Sequence, residues 1–218
     1  MKVGTDGVLL GAWCDVAGKK NVLDVGTGTG LIALMVAQRS QPATIDAIEI
    51  DEAAYYEACY NIENSPWSER ISVVHIDFSD LYDKEKKYDL IVSNPPYFTN
   101  GILPPDGKRK IARHCETLTF DKLITHSVTL LSENGIICLI TPADAENKIT
   151  SIVVRNGLNI EKKTVVYPKT GSVPKRILWQ IGRSQCYCIV DELFIEHETH
   201  HEYTSQYVEL TKDFYLNM

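Results

Sequence analysis

Between residues 21 and 155, short unbroken runs of Val and Ile alternate with stretches whose apolar positions recur every three or four residues. The runs at 22–25, 44–50, 71–76, 88–93 and 136–141 have few polar interruptions. A strand built from such a run has no face fit for water, so each predicts a strand covered on both sides. The intervening stretches predict helices. Leu31, Leu34, Met35 and Gln38 fall at helical spacing in 31–39, and residues 52–64 follow Asp51, whose carboxylate suits an N-cap. Residues 121–131 and 143–156 are two more, the last ended by Gly157 in the position of a C-cap glycine. This alternation predicts an α/β fold with a parallel, doubly wound sheet.

After Gly157 the rhythm changes. Residues 158–167, 176–183 and 187–194 predict three consecutive strands without helices between them, hence an antiparallel end to the sheet. Residues 204–215 predict a closing helix, with Tyr207, Leu210 and Phe214 on one stripe. The stretch 94–117, with four prolines and two glycines, is too long for a plain connection, and loops of that length are usually functional. There is no internal repeat, so residues 1–218 read as one domain.

Composition narrows the class. With 44% hydrophobic and 23% charged residues, the chain is that of a globular protein long enough to bury most of its unfolded surface. No apolar run approaches bilayer-spanning length, and the first residues lack the order of a signal peptide, so a cytosolic location is expected. The six cysteines contain no C-x-x-C pair and predict buried, reduced thiols. Cys186 and Cys188 would share one face of a strand. No metal is expected, and His197, His200 and His201 read as solvated surface. A net charge of −7 works against a nucleic-acid partner. The charge is uneven, however. Lys108, Arg109, Lys110 and Arg113 form one basic cluster, Lys162, Lys163, Lys169, Lys175, Arg176 and Arg183 a second, and acid gathers from Asp191 to Glu202. These patches permit an RNA partner without requiring one.

Asp24-Val25-Gly26-Thr27-Gly28-Thr29-Gly30 follows a predicted strand and opens a predicted helix. Its glycines allow a tight turn and let a ligand approach the backbone beside the free amides of a helix N-terminus. A dinucleotide fingerprint would want Gly or Ala where Leu31 stands. The acid-x-G-x-G-x-G spacing instead resembles the first motif of class I S-adenosylmethionine-dependent methyltransferases, which implies Asp24, Gly26, Thr27, Gly28 and Gly30 as donor-binding residues. Glu49, beside Ile50 at the end of the second strand, suits both ribose hydroxyls of a methyl donor or of NAD alike, whereas Asp51 reads as a helix cap. Asp77 and Phe78, after the third strand, match where that fold meets the donor's adenine; a turn residue is the blander reading of Asp77.

Asn94-Pro95-Pro96-Tyr97 stands immediately after the fourth strand, at a carboxyl end where such sheets bind ligands. An aryl amine is a poor nucleophile because its lone pair is delocalised into the ring. If the Asn94 side-chain oxygen and the Pro95 carbonyl each accept one N–H, the lone pair is freed for in-line attack on a methyl group. Pro96 fixes the backbone, and Tyr97 offers a ring for the target base, worth roughly 1–3 kcal/mol by analogy with single-strand binders. A rigid turn is the alternative. The run resembles the fourth motif of amino-methyltransferases acting on adenine, on guanine or on protein glutamine.

The whole chain resembles the bacterial tRNA (adenine-N6)-methyltransferases that modify the adenine beside the anticodon of valine tRNA. The residues that carry this are 1–13 (MKVGTDGVLLGAW), 24–30, 94–98, Ala112-Arg113-His114 and 203–216. The resemblance implies a seven-stranded, mostly parallel sheet, S-adenosylmethionine as cofactor, and methyl transfer to N6 of adenine 37 in tRNA by a monomer. A release-factor glutamine methyltransferase and a guanine-N2 rRNA methyltransferase are the alternatives. It also implies that Lys2, Thr5 and Asp6 pack against the methionine end of the donor and that Asn94 touches it; as a plain local feature, Thr5-Asp6 suits an N-cap. Candidate RNA contacts are Tyr97, Phe98, Lys108, Arg109, Arg113, His114, Lys175 and Arg176. Family members carry a further N-terminal segment with an aromatic- and Lys/Gln-containing strand, so a missing start is expected here.

Overall fold

The computed structural model describes residues 4–41, 43–82, 86–96, 118–199 and 202–216. Eight strands form one sheet: β1 (Asn21–Val25), β2 (Thr44–Glu49), β3 (Ile71–His75), β4 (Tyr88–Ser93), β5 (Leu131–Pro142), β6 (Asn159–Lys169), β7 (Arg176–Gly182) and β8 (Ile189–Glu196). Their order is β3-β2-β1-β4-β5-β7-β6-β8. Strands β1 to β5 run parallel, β7 is antiparallel to both β5 and β6, and β8 is parallel to β6. The sheet therefore has one strand more than the seven expected, and its end is antiparallel at β7 alone. Strands β7 and β8 do run in opposite directions, but β6 lies between them, so they are not a hairpin pair.

The helices are α1 (Thr5–Trp13), α2 (Leu31–Arg39), α3 (Glu52–Glu63), α4 (Phe120–Leu130), α5 (Glu146–Arg155) and α6 (Ser205–Thr211). Side chains of the central strands alternate between two cores. Val22, Leu90, Val92, Ile136, Cys138 and Ile140 face one core with Leu9 and Leu10 of α1 and Ile32 and Val36 of α2. Leu23, Val25, Ile91, Ile137 and Leu139 face the other, with Leu123 and Ile124 of α4 and Ile149, Ile152 and Val153 of α5. This is why those central runs are apolar at every position, whereas β3, expected to be covered on both sides, is an edge strand in which only Ile71 is buried. Asp51 and Thr204 cap α3 and α6 through the amides of Ala54 and Tyr207. Beyond α6 a short 3-10 turn brings Phe214 against Val8 and Met35.

The closing of α1 on α2 is a matter of small residues. A Cβ at Gly7 would stand 3.2 Å from Leu31 Cδ2, and one at Gly11 only 2.7 Å from Met35 Sδ. The expected cap of α1 is absent: the helix begins at Thr5 itself, Gly4 holds the cap position, and no side chain caps it. The expectation of buried cysteines holds for Cys14 and Cys138, while Cys186 and Cys188 are exposed. They lie in the connection that carries the chain around β6 and outside any strand. Among the described residues no helix is long and apolar enough to cross a membrane.

Candidate functional site

The parallel strands end on one side of the sheet, and the glycine turn leaves β1 there. Gly26, Gly28 and Gly30 have φ of +70°, +61° and +82°, left-handed values that side chains rarely adopt. The turn is bound from several sides. Gly26 and Thr27 donate to the Ile48 carbonyl of β2 at 3.0 Å, and the Asn61 amide of α3 donates to the Thr29 carbonyl at 2.9 Å. Gly30 is also a packing site, since a Cβ there would stand 3.2 Å from Ile62 Cδ1. Over Gly26 the corresponding space is open.

Asp24 is fully buried and does the capping that Gly30 lacks a side chain to do. Its Oδ2 accepts from Thr27 Oγ1 at 2.6 Å and from the Ala33 amide, in the first turn of α2, at 3.2 Å. Its Oδ1 has no hydrogen-bond partner among the described residues. Burial pushes the Asp24 carboxyl up to about 7, against the lowering effect of these two hydrogen bonds and with a smaller rise from the Glu49 charge. Glu49 ends β2 and turns back onto the glycine turn. Its Oε2 accepts from the Gly28 amide at 2.9 Å, and its Oε1 from the amides of Ile50 and Asp51 at 2.9 Å each. Asp24, Glu49 and the glycines thus form one connected cradle.

Asn94 and Pro95 leave β4, the neighbour of β1. The register pairs Asp24 with Val92, and Ser93 Oγ donates to the Val25 carbonyl at 2.8 Å. The residue after Ser93 therefore emerges beside Gly26, one inter-strand spacing of about 4.8 Å away. Pro95 is buried and Pro96 exposed. Tyr97 and Phe98 lie outside the described residues, as do Lys2, Lys108, Arg109, Arg113 and His114.

Asp77 starts a turn, its Oδ1 accepting from the Ser79 amide at 2.8 Å. The Phe78 ring is buried and meets His126 edge-on at 4.8 Å, so it belongs to the core beneath the site. Thr5 and Asp6 lie in the first turn of α1, and Asp6 is paired with Arg176, so two residues assigned to donor and RNA contact each other. Most of the second basic region is engaged in the same way. Lys162 pairs with Asp191 and covers Trp13, Lys163 pairs with Glu146, and Arg183 donates to the Val128 and Ser132 carbonyls. Lys175 is exposed. Ser93 and Asn61 were not singled out from sequence; each ties the cradle together across a long chain separation and carries no local signal. Among the described residues no group of three or more His, Cys, Asp or Glu is placed to hold a metal ion.

Comparison with known proteins agrees with this architecture. Residues 7–150 match the model of the methyltransferase small domain. A tRNA1(Val) (adenine(37)-N6)-methyltransferase from Phocaeicola vulgatus is 47% identical over 218 residues, covering 100% of this chain and 92% of the relative. Proteins of the same name from Bacteroides thetaiotaomicron and Flavobacterium psychrophilum are 45% and 44% identical, again over 100% of this chain, with 92% and 94% of each relative covered. Among solved structures, a predicted O-methyltransferase from Agrobacterium tumefaciens shares the fold with a TM-score of 0.73 at 20% identity, covering 95% of this chain and 96% of that one. A ribosomal protein L11 methylase from Lactobacillus delbrueckii does so with a TM-score of 0.57 at 21% identity, over 82% of this chain and 77% of that one. The chain belongs to the methyltransferase small domain family and, within it, to the tRNA1(Val) (adenine(37)-N6)-methyltransferases.

Proposed function

We propose that this chain, a single catalytic domain acting in the cytoplasm, transfers a methyl group from S-adenosylmethionine to N6 of adenine 37 in valine tRNA. The observation that carries this is the register of β4 on β1, which sets Asn94-Pro95 beside the glycine cradle. The names of the full-length relatives point to the substrate.

The cradle fits the donor. The unpartnered, buried Oδ1 of Asp24 suits a cationic amino group, Glu49 suits a ribose diol once it exchanges the Gly28 amide for it, and the open space over Gly26 admits a ligand against the backbone. When bound, S-adenosylmethionine supplies an electrophilic methyl group on a sulfonium. The Asn94 side-chain oxygen and the Pro95 carbonyl accept the two hydrogens of the adenine amine and hold its lone pair out of the ring. Catalysis then comes from position and aligned dipoles rather than from a strong base. Tyr97 stacks on the extruded base, and Lys108, Arg109, Arg113 and Lys175 meet phosphates. Asp77 and Ile50 border the adenine end of the donor.

Asn94→Ala is expected to lower kcat by about 10²-fold or more with donor affinity within about twofold of wild type, as for loss of an interaction made in the transition state. Single-turnover methylation and calorimetry check the two halves. The function itself is tested by mass spectrometry of tRNA from cells with and without the gene. Unchanged N6-methyladenosine would overturn it, and labelled methyl appearing in protein would point to glutamine instead.

A further inference from the structure

Arg176 opens β7 on the carboxyl side of the sheet, opposite Pro142. Its Nε donates to Asp6 Oδ2 at 2.8 Å, and its Nη1 donates to the Lys175 carbonyl at 3.0 Å, so the guanidinium is held from two sides. The two charged side chains are 32% and 25% exposed, screened less than a surface pair. They join residues 170 apart in the chain.

What Asp6 belongs to matters. It lies in the first turn of α1, whose N-cap is Gly4, so among the described residues no side chain caps that turn. A carboxylate there gains from the helix N-terminus, and the pair with Arg176 fixes where it points. The next residue, Gly7, lies so close to Leu31 that a Cβ would meet it at 3.2 Å, and Leu31 is the residue that follows the glycine turn. The first turn of α1 therefore packs, as a wall beside the glycine turn, against the start of α2. Any tilt of that wall is felt at the start of α2, where Asp24 binds the Ala33 amide. Asp6 and the Lys175 carbonyl together engage two of the five guanidinium N–H donors and fix the plane of the group.

We propose that Arg176 is a positioning residue: through Asp6 it holds the first turn of α1 against the glycine turn and so sets affinity for the methyl donor, instead of contacting RNA. This rests on the donor site proposed above. Its consequence is that the antiparallel part of the sheet, which contributes no strand to the cradle, still tunes donor binding.

The test is calorimetry of S-adenosylmethionine binding to the full chain, with KM for donor and for tRNA measured separately. The variants are Arg176→Gln, Arg176→Lys, Asp6→Asn and the double variant Asp6→Asn/Arg176→Gln. Arg176→Gln is expected to weaken donor binding roughly three- to tenfold while tRNA KM and kcat at saturating donor stay near wild type. Arg176→Lys keeps the charge and loses less. In the Asp6→Asn background, adding Arg176→Gln should change donor affinity little further, because the partner is already gone. Additive losses would overturn the proposal. So would an unaltered donor affinity, whether it accompanies a raised tRNA KM with a shallower salt dependence or only a lower thermal midpoint. If the wild-type chain binds donor but methylates no tRNA, the proposed substrate is wrong and the role of Arg176 is still decided by the binding cycle.

Discussion

Asp24 shows how one side chain is asked to do two things. It caps α2 from within β1, and for that it is buried with one oxygen unpartnered. An acid whose folded value stands above its ordinary one keeps its proton longer in the folded chain than in the unfolded one. Between its ordinary 3.8 and about 7, the unfolded chain has ionised while the folded chain has not. The contribution of Asp24 to stability therefore falls as pH climbs through that window and stays low above it. Asp24→Asn, which mimics the protonated acid, should gain in thermal midpoint relative to wild type between about pH 5 and about pH 8 in donor-free protein. The same variant should bind donor more weakly, having no anion for its amino group. A midpoint difference that stays flat with pH would show that the carboxyl is not held protonated. Other residues divide by the range of their partners. Asp51 was legible as a cap because its bond reaches only three positions along the chain. The contacts of Arg176 with Asp6 and of Phe78 with His126 were not legible, because the partners are far apart in sequence.

At the scale of elements, the glycine turn is the most demanding piece. Gly28 sits at φ +61°, and Val there would carry a β-branched side chain in a left-handed conformation, at a cost of about 1–3 kcal/mol before any clash. Gly28→Val should abolish measurable donor binding by calorimetry, because the turn relaxes away from Glu49 and the Gly28 amide moves with it. Unchanged affinity would mean that the turn does not touch the donor. The central strands were legible from their unbroken apolar runs, and the helices between them from their spacing. The end of the sheet was not. Three strands without intervening helices are compatible with a meander or with a strand inserted between its neighbours, and local pattern does not distinguish the two. Here β7 enters between β5 and β6, and β8 is added beyond β6. The bounds of β5 also ran past the apolar run, since its first residues, from Leu131 to Gly135, include polar positions.

Over the whole molecule, a net charge of −7 must be reconciled with the proposed RNA substrate. Lys162, Lys163 and Arg176 of the second basic region are paired with carboxylates, and Arg183 donates to backbone carbonyls. Lys169 and Lys175 flank the β6–β7 turn on the carboxyl side, where Asn94 emerges. Replacing both by Ala should weaken tRNA binding and lower the slope of log affinity against log salt by roughly 1–2, with donor affinity unchanged. Filter binding over a range of salt concentrations measures this, and an unchanged slope would place the phosphates elsewhere.

Local chemistry by itself determined the α/β class, the central strands that are covered on both faces, the glycine turn, and the Asn-Pro-Pro run that follows β4. Each of these is a property of neighbouring residues: apolar periodicity, left-handed backbone, or proline restricting its own φ. Only the tertiary structure decided which charges remain available and in what order the last strands lie. Those outcomes depend on pairs such as Arg176 with Asp6 and β8 with β6, which form because folding brings distant segments together, and no spacing along the chain encodes them.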